Sequence, residues 1–216
     1  MKVPVLDSGY LRQLHCKTVM KLDPSTIPSI FGDKVAPDGC AVADNFSGWF
    51  GNSRVVDEHG APLVLVHGTK SDFSMFETGH GNGESLGFLF APKECVNTYI
   101  WSFLDANYEE GDAKFFMPVY LSIKHPMFWD TTDTGAWTCP VSENEKIVEA
   151  KKRGFDGLII RDKEAQTMFY VAFEASQIKS AVGNSGDFNE YSDDIVDRHW
   201  QAESDEPLPV FERMRA

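Results

Sequence analysis

Apolar runs along this chain are short and bounded by polar or glycine-rich stretches, a pattern that predicts strands more often than helices. "SRVVDEHGAPLVLVHG" (53–68) predicts a β-hairpin that turns at Gly60. "KFFMPVYLSIKHPMFWD" predicts a strand running into a proline-broken edge. "DGLIIRD" and "TMFYVAFE" predict two further strands separated by the turn "DKEAQ", and "SQIKSAVGN" a last extended segment. Three- and four-residue spacing appears in "APKECVNTYIWSFLDANYEEG", where Val96, Tyr99, Ile100 and Phe103 share one helical face. "SENEKIVEAKKRGF" predicts an amphipathic helix with a Ser142 cap and a Gly154 stop. "DNFSGWFG" predicts a short helix that packs Phe46, Trp49 and Phe50 onto the core. Strands outnumber helices and are not regularly interleaved with them, which favours α+β over a doubly wound sheet.

The ends differ from the middle. Residues 1–43 carry scattered Pro, Gly and Asp and read as an irregular N-terminal extension with one short helix near "YLRQLHCKTVM". Acidic residues dominate from Asp187 onward and predict a solvated, partly helical tail. The division is an extension over 1–43, a domain over 44–190 and an acidic tail over 191–216. With 216 residues, 42% of them hydrophobic, the chain can bury a core of one domain.

Charge narrows the partners. The net charge is -13, so phosphate backbones and anionic membrane surfaces are repelled, and a nucleic acid is not the expected partner. The cysteines at 16, 40, 95 and 139 form no C-x-x-C pair, so they predict reduced thiols and neither a metal nor a redox motif. The first residues do not have the pattern of a signal peptide, and no run approaches the roughly 20 apolar residues of a membrane span. The expected location is cytoplasmic, or a target cell reached without a cleavable signal.

Two motifs suggest a hydrolase. "LVLVHG" resembles an oxyanion loop, and "GESLG" (83–87) matches the nucleophile elbow G-x-S-x-G. An elbow needs a strand before the serine and a helix after it. Here Ser85 follows the polar loop "FETGHGNGE" and precedes the strand-like "LGFLFAP". His67 also stands only eighteen positions before Ser85, too close for the intervening elements of an α/β-hydrolase. A cysteine hydrolase would pair His67 or His125 with Cys95 or Cys139, but neither cysteine has a catalytic signature around it. No G-x-G-x-x-G occurs in the glycine-rich loop.

The order of several motifs points elsewhere. "NFSGWFGNSRVVDEHGAPLVLVHGT", "FSMF", "GFLFA", "VYLSIKHPMF", "GFDGLIIRD" and "FYVAFEASQIKSAVGNSGDFN" follow one another over residues 44–190. The succession resembles the ADP-ribosyltransferase-like domain of phage polyvalent proteins and of related bacterial toxins and effectors, in the H-Y-E branch with diphtheria toxin and the poly-ADP-ribose polymerases. That resemblance implies an α+β clamshell of two small β-sheets with flanking helices. It implies NAD+ as substrate, a bent NAD+ in the cleft, and attack on C1′ of the nicotinamide ribose. It implies no metal, and a macromolecular acceptor that the charge makes a protein.

The resemblance also assigns roles. His67 matches the motif histidine that holds the adenosine ribose hydroxyl, and Gly68 matches the backbone that holds the nicotinamide amide, with Thr69 completing the turn. Phe73 and Phe76 match F-x-x-F, and Phe88 and Leu89 lie in the second motif strand, with Leu89 where the family usually has tyrosine. Tyr99 is the aromatic expected to stack on the nicotinamide. The motif glutamate has no counterpart: its position holds Phe169. Three carboxylates remain, Glu174, which needs a bend in the strand, and Glu164 and Asp162 at the preceding turn. Gln177 matches a position that supports the cleft floor.

Overall fold

The computed structural model describes residues 22–69, 71–77, 86–93, 115–131, 140–162 and 167–197. Its strands are β1 (Leu65–Thr69), β2 (Phe88–Pro92), β3 (Phe115–Leu121), β4 (Pro126–Thr131), β5 (Gly157–Asp162), β6 (Thr167–Ala172) and β7 (Ile178–Ser180). Its α-helices are α1 (Ile27–Phe31), α2 (Val42–Phe50) and α3 (Pro140–Lys152). The strands form one seven-stranded sheet in the order β4-β5-β6-β2-β1-β3-β7. The two small sheets expected from the sequence are the halves of this sheet, and they meet at β1 and β2. Only Leu65↔Pro92 and Val66↔Ala91 pair across that seam, whereas β1 pairs with β3 over five residues and β5 with β6 over six.

Neighbouring strands are antiparallel except β4 and β5. A parallel pair requires a crossover, and α3 lies in the segment that supplies it. α3 buries Ile147 and Ala150 against Leu158, Ile160, Phe169 and Val171. It is already helical at Pro140, so Ser142 lies inside it and is not its cap. Gly154, with φ +78, ends it as expected.

Side chains alternate across the strands as the pleat requires. Phe88, Phe90, Ile159 and Tyr170 enter a first cluster, together with Leu65, Val119, Leu121 and Ile178 from the other half-sheet. A cluster shared by strands so far apart in the sheet order means that the sheet curls around it. Gly157 marks a close approach: a Cβ there would stand 2.7 Å from Ile123 Cγ2 and 2.8 Å from the Val171 carbonyl oxygen. Val66, Ala91, Leu158, Phe169, Val171 and Phe173 point to the opposite face, in the second cluster.

The predicted hairpin over 53–68 is a single bridge, Val56↔Pro62, with no first strand. The Asp57 and Leu63 N–H groups donate to the Ala61 and Val55 carbonyls on either side of that bridge, but the Val55 N–H, which would extend the ladder, turns to Ser53 Oγ at 3.3 Å. The turn itself is built by Asp57, whose carboxylate accepts from the His59 and Ala61 N–H groups.

Two boundaries also change. Residues 22–43 are part of the fold: Ile27, Phe31, Ala36 and Val42 form a third cluster with Phe46, Trp49, Phe50, Tyr120 and Phe188. The acidic segment 187–197 is folded too, because Phe188, Ile195 and Val196 are buried and Asp197 forms a buried ion pair with Lys179 at 2.6 Å. The helix expected over 91–111 is strand at its first two residues, which belong to β2, and its remainder from residue 94, the helix near residues 10–20 and the tail beyond 197 lie outside the described residues.

Gln177 joins four backbone groups. Its Oε1 accepts from the Phe173 and Glu174 N–H groups, and its Nε2 donates to the Ser122 and Asp156 carbonyls. It thus ties the end of β6 to the segments after β3 and before β5. Replacing Gln177 by Ala strands those groups and is expected to cost about 2–4 kcal/mol in urea unfolding. Gly157→Ala is expected to cost about 1–3 kcal/mol because one of its clashes is with backbone. Removing the Ile123 side chain should recover only part of that loss, and full recovery would show that the carbonyl contact carries none of it.

Candidate active site

The sheet is incomplete where the motif residues stand. Beyond Val66↔Ala91 no β1–β2 pair continues, so His67–Thr69 and Phe88–Leu89 border a split between the half-sheets. β1 stays laddered to β3 on its other side through His67↔Met117, Gly68↔Phe116 and Thr69↔Phe115, and β2 to β6 through Leu89↔Val171. Both rims are therefore rigid while the gap between them lacks a ladder.

One side chain spans the gap. His67 Nδ1 lies 2.9 Å from the Leu89 carbonyl oxygen. A carbonyl only accepts, so Nδ1 carries the proton and Nε2 holds the lone pair of the neutral ring. Burial pushes the His67 pKa below its ordinary value of 6.5, against the smaller opposing effect of the Leu89 hydrogen bond. The ring is then neutral at pH 7. Nε2 has no hydrogen-bond partner among the described residues. Such a nitrogen is an acceptor for a hydroxyl.

Aromatic rings set the position of the imidazole. Ring centroids of Phe76, Phe90 and Phe73 lie 5.0, 5.4 and 6.3 Å from that of His67. Phe73 and Phe76 meet edge to face at 4.9 Å, a favoured arrangement for such pairs. Phe76 and Phe88 are 6% and 7% exposed and pack on each other in the first cluster. Both are expected to touch a cofactor; period-two alternation turns Phe88 inward with Phe90, and Phe76 packs between Phe88 and the His67 ring. The Thr69 hydroxyl donates to the Ser71 carbonyl and accepts from the Ser71 N–H.

Leu89 takes part through its backbone. Its side chain packs on the second cluster, away from the Phe88 and Phe90 face that carries the imidazole. The carbonyl that holds His67 is available from any residue, so leucine in the tyrosine position leaves this bond intact.

Glu174 is not in the split. It lies beyond β6, with its side chain 71% exposed, 3.6 Å from Lys151. It also caps the 3-10 turn Ala175–Gln177 in a reciprocal pair with Gln177. No bulge turns it inward, and β6 ends at Ala172. Phe169, at the motif glutamate's position, is 1% exposed and sealed in the second cluster. Asp162 ends β5 opposite Thr167. Glu164 and Tyr99 lie outside the described residues, as do Ser85, Cys95 and Cys139 of the hydrolase readings. The segment after the "GESLG" match is the strand β2, where a nucleophile elbow needs a helix.

The Leu89 carbonyl and the Lys179–Asp197 pair escaped the sequence reading. Long-range pairing creates both, and the one available signal was a lysine in the apolar run "QIKSAV". Among the described residues no group of three or more His, Cys, Asp or Glu could hold a metal ion, and no helix is long and apolar enough to cross a membrane.

No curated protein and no solved structure matches the chain. The family model described as "ADP-Ribosyltransferase in polyvalent proteins" matches residues 57–188, more than half of the chain and all seven strands of the sheet. The split sheet with a neutral histidine at its rim thus belongs to a member of the ADP-ribosyltransferase family of polyvalent proteins.

Proposed function

We propose that the protein is a mono-ADP-ribosyltransferase that moves ADP-ribose from NAD+ to a protein acceptor, as a phage or bacterial effector. The observation that carries this reading is the neutral His67, anchored through Nδ1 with Nε2 left to accept from a ribose hydroxyl at the split. Gly68 holds the nicotinamide amide through its backbone, and Tyr99 stacks on the ring. The bond between C1′ and the pyridinium nitrogen breaks through an oxocarbenium-like state, and its electron pair leaves with neutral nicotinamide. The acceptor's nucleophile then bonds to C1′ and gives up its proton. Transfer of single units fits Phe169 at the motif glutamate's position, because a polymerase must also activate a ribose hydroxyl as acceptor. The net charge of -13 favours a protein acceptor over nucleic acid.

A second reading has its own support. The buried Phe169 and the exposed Glu174 leave the described part of the split without a carboxylate from β6. A chain that binds NAD+ without transferring it fits that arrangement, with Glu164 as the remaining test of catalysis.

Incubation with labelled NAD+ and bacterial lysate separates the two. The first reading expects label on protein, a loss of about a hundredfold in His67→Ala, and a similar loss in Glu164→Gln. Glu174→Gln should retain activity within about twofold, since its partner is an exposed lysine. Binding of NAD+ with no label and no nicotinamide release selects the second reading, and no binding at all sinks both.

The pH profile of NAD+ binding gives an independent check. The lone pair on Nε2 is present above the lowered pKa of His67 and lost as pH falls through it. The acid limb should therefore lie below pH 6.5 and vanish in His67→Gln. A limb at or above pH 6.5 would contradict a half-buried imidazole desolvated within the site.

A further inference from the structure

The loop that cages His67 is fastened from outside the family domain. Phe73 and Phe76 belong to the segment 71–77 that follows β1. The Ile195 N–H donates to the Ser74 carbonyl at 2.8 Å, and Met75 forms an antiparallel bridge with Asp194. The other side of the same segment is attached to the sheet: the Ser180 N–H of β7 donates to the Ile195 carbonyl at 2.8 Å. The family match ends at residue 188, so these contacts come from chain beyond it.

Buried polar groups lock the segment in place. Lys179 Nζ, on β7, donates to Asp197 Oδ1 at 2.6 Å and to the Ser192 and Asp194 carbonyls at 2.9 and 3.0 Å. Asn184 Nδ2 donates to Asp197 Oδ2 and to the Ile195 carbonyl, both at 3.0 Å. The Asn189 N–H also reaches Asp197 Oδ2, at 3.0 Å, and Ser185 Oγ donates to the Asp197 carbonyl at 2.7 Å. Asp197 sits at φ +46, a conformation that asparagine shares more readily than most residues. Ile195 and Val196 fill the first cluster beside Phe76. The lock spends a buried ammonium on holding a short irregular segment, although an apolar pair would stabilise the fold as well. What the lock determines is where the segment's edge meets the 71–77 loop.

We propose that Asn189–Asp197 is a positioning strap, locked by Lys179 and Asp197, that holds the 71–77 loop and with it Phe73 and Phe76 against His67. The strap acts by keeping the imidazole enclosed and aimed, so its loss lowers the fraction of molecules competent to bind. This rests on the proposed function for its consequence, but the strap's hold on the loop is testable without NAD+.

Asp197→Asn removes the charge and sets an NH2 group against a donor, Lys179 Nζ or the Asn184 and Asn189 N–H groups, at nearly the same volume. If the strap then holds the loop in only about a tenth of molecules, the apparent Kd for NAD+ rises about tenfold. In transfer assays the loss falls on KM, with kcat within about twofold. In NMR titration the His67 pKa should move up toward 6.5 as water reaches the ring. A disulfide between Met75→Cys and Asp194→Cys, in the Asp197→Asn background, should restore both readings when oxidised and not when reduced. If Asp197→Asn does not fold, Asn184→Ala, which removes two of the bonds, takes its place with the same readings. An unmoved His67 pKa with an unmoved Kd, in a variant whose Ser180 amide has lost exchange protection, overturns the strap. If the wild-type protein binds no NAD+, the proposed function fails, and the His67 titration still decides whether the strap holds the loop.

Discussion

The whole site depends on a ladder that stops two residues in. Val66↔Ala91 is the last pair between β1 and β2, and everything distinctive about the molecule lies just past it. A continuous sheet would satisfy its backbone groups and leave no gap for a ligand. A fully separated pair of sheets would lose the rigid rims. The hydrogen bond from His67 Nδ1 to the Leu89 carbonyl links the two rims across the opening. It costs the half-sheets none of their ladder and leaves one imidazole nitrogen with its lone pair.

The rest of the fold keeps that opening fixed. The first cluster draws residues from both half-sheets, so the sheet cannot flatten without exposing Leu65, Phe90, Val119 and Tyr170 together. Gln177 fastens three chain segments at one end of β6. The 71–77 loop and the segment Asn189–Asp197 close the side where the imidazole lies. Burial by the aromatic rings then sets the protonation state, since it disfavours the charged form of His67 more than the Leu89 carbonyl favours it.

Much of this was legible in the sequence, for local reasons. Alternation in "FYVAF" placed Phe169, Val171 and Phe173 on one face, and the second cluster contains all three. The glycine-rich stretch before Ser85 and the strand-like run after it argued against a nucleophile elbow, and that run contains β2. The resemblance in motif order named the family that the match over residues 57–188 shows. What local reading missed is set by distant partners. Acidic composition suggested a solvated tail from Asp187, but one buried lysine and two apolar residues, Ile195 and Val196, recruit it into the core. The hairpin stops at one bridge because Ser53, held by Leu121 and Ile123 across the core, takes the Val55 N–H that would extend it. Glu174 looked like a cleft carboxylate only if β6 bulged, and its capping pair with Gln177 ends the strand instead.

The central claim is that a neutral His67, protonated on Nδ1, presents Nε2 to NAD+. Long-range 1H–15N NMR of the histidine side chains reads this directly, with His67 assigned by its loss in His67→Ala. At pH 7 a neutral ring with a pyrrole-type Nδ1 and an imine-type Nε2 is expected, and on adding NAD+ an Nε2 resonance shifted by a new hydrogen bond while Nδ1 stays in place. A doubly protonated ring at pH 7, an Nε2–H tautomer, or an Nε2 resonance indifferent to saturating NAD+ would contradict it.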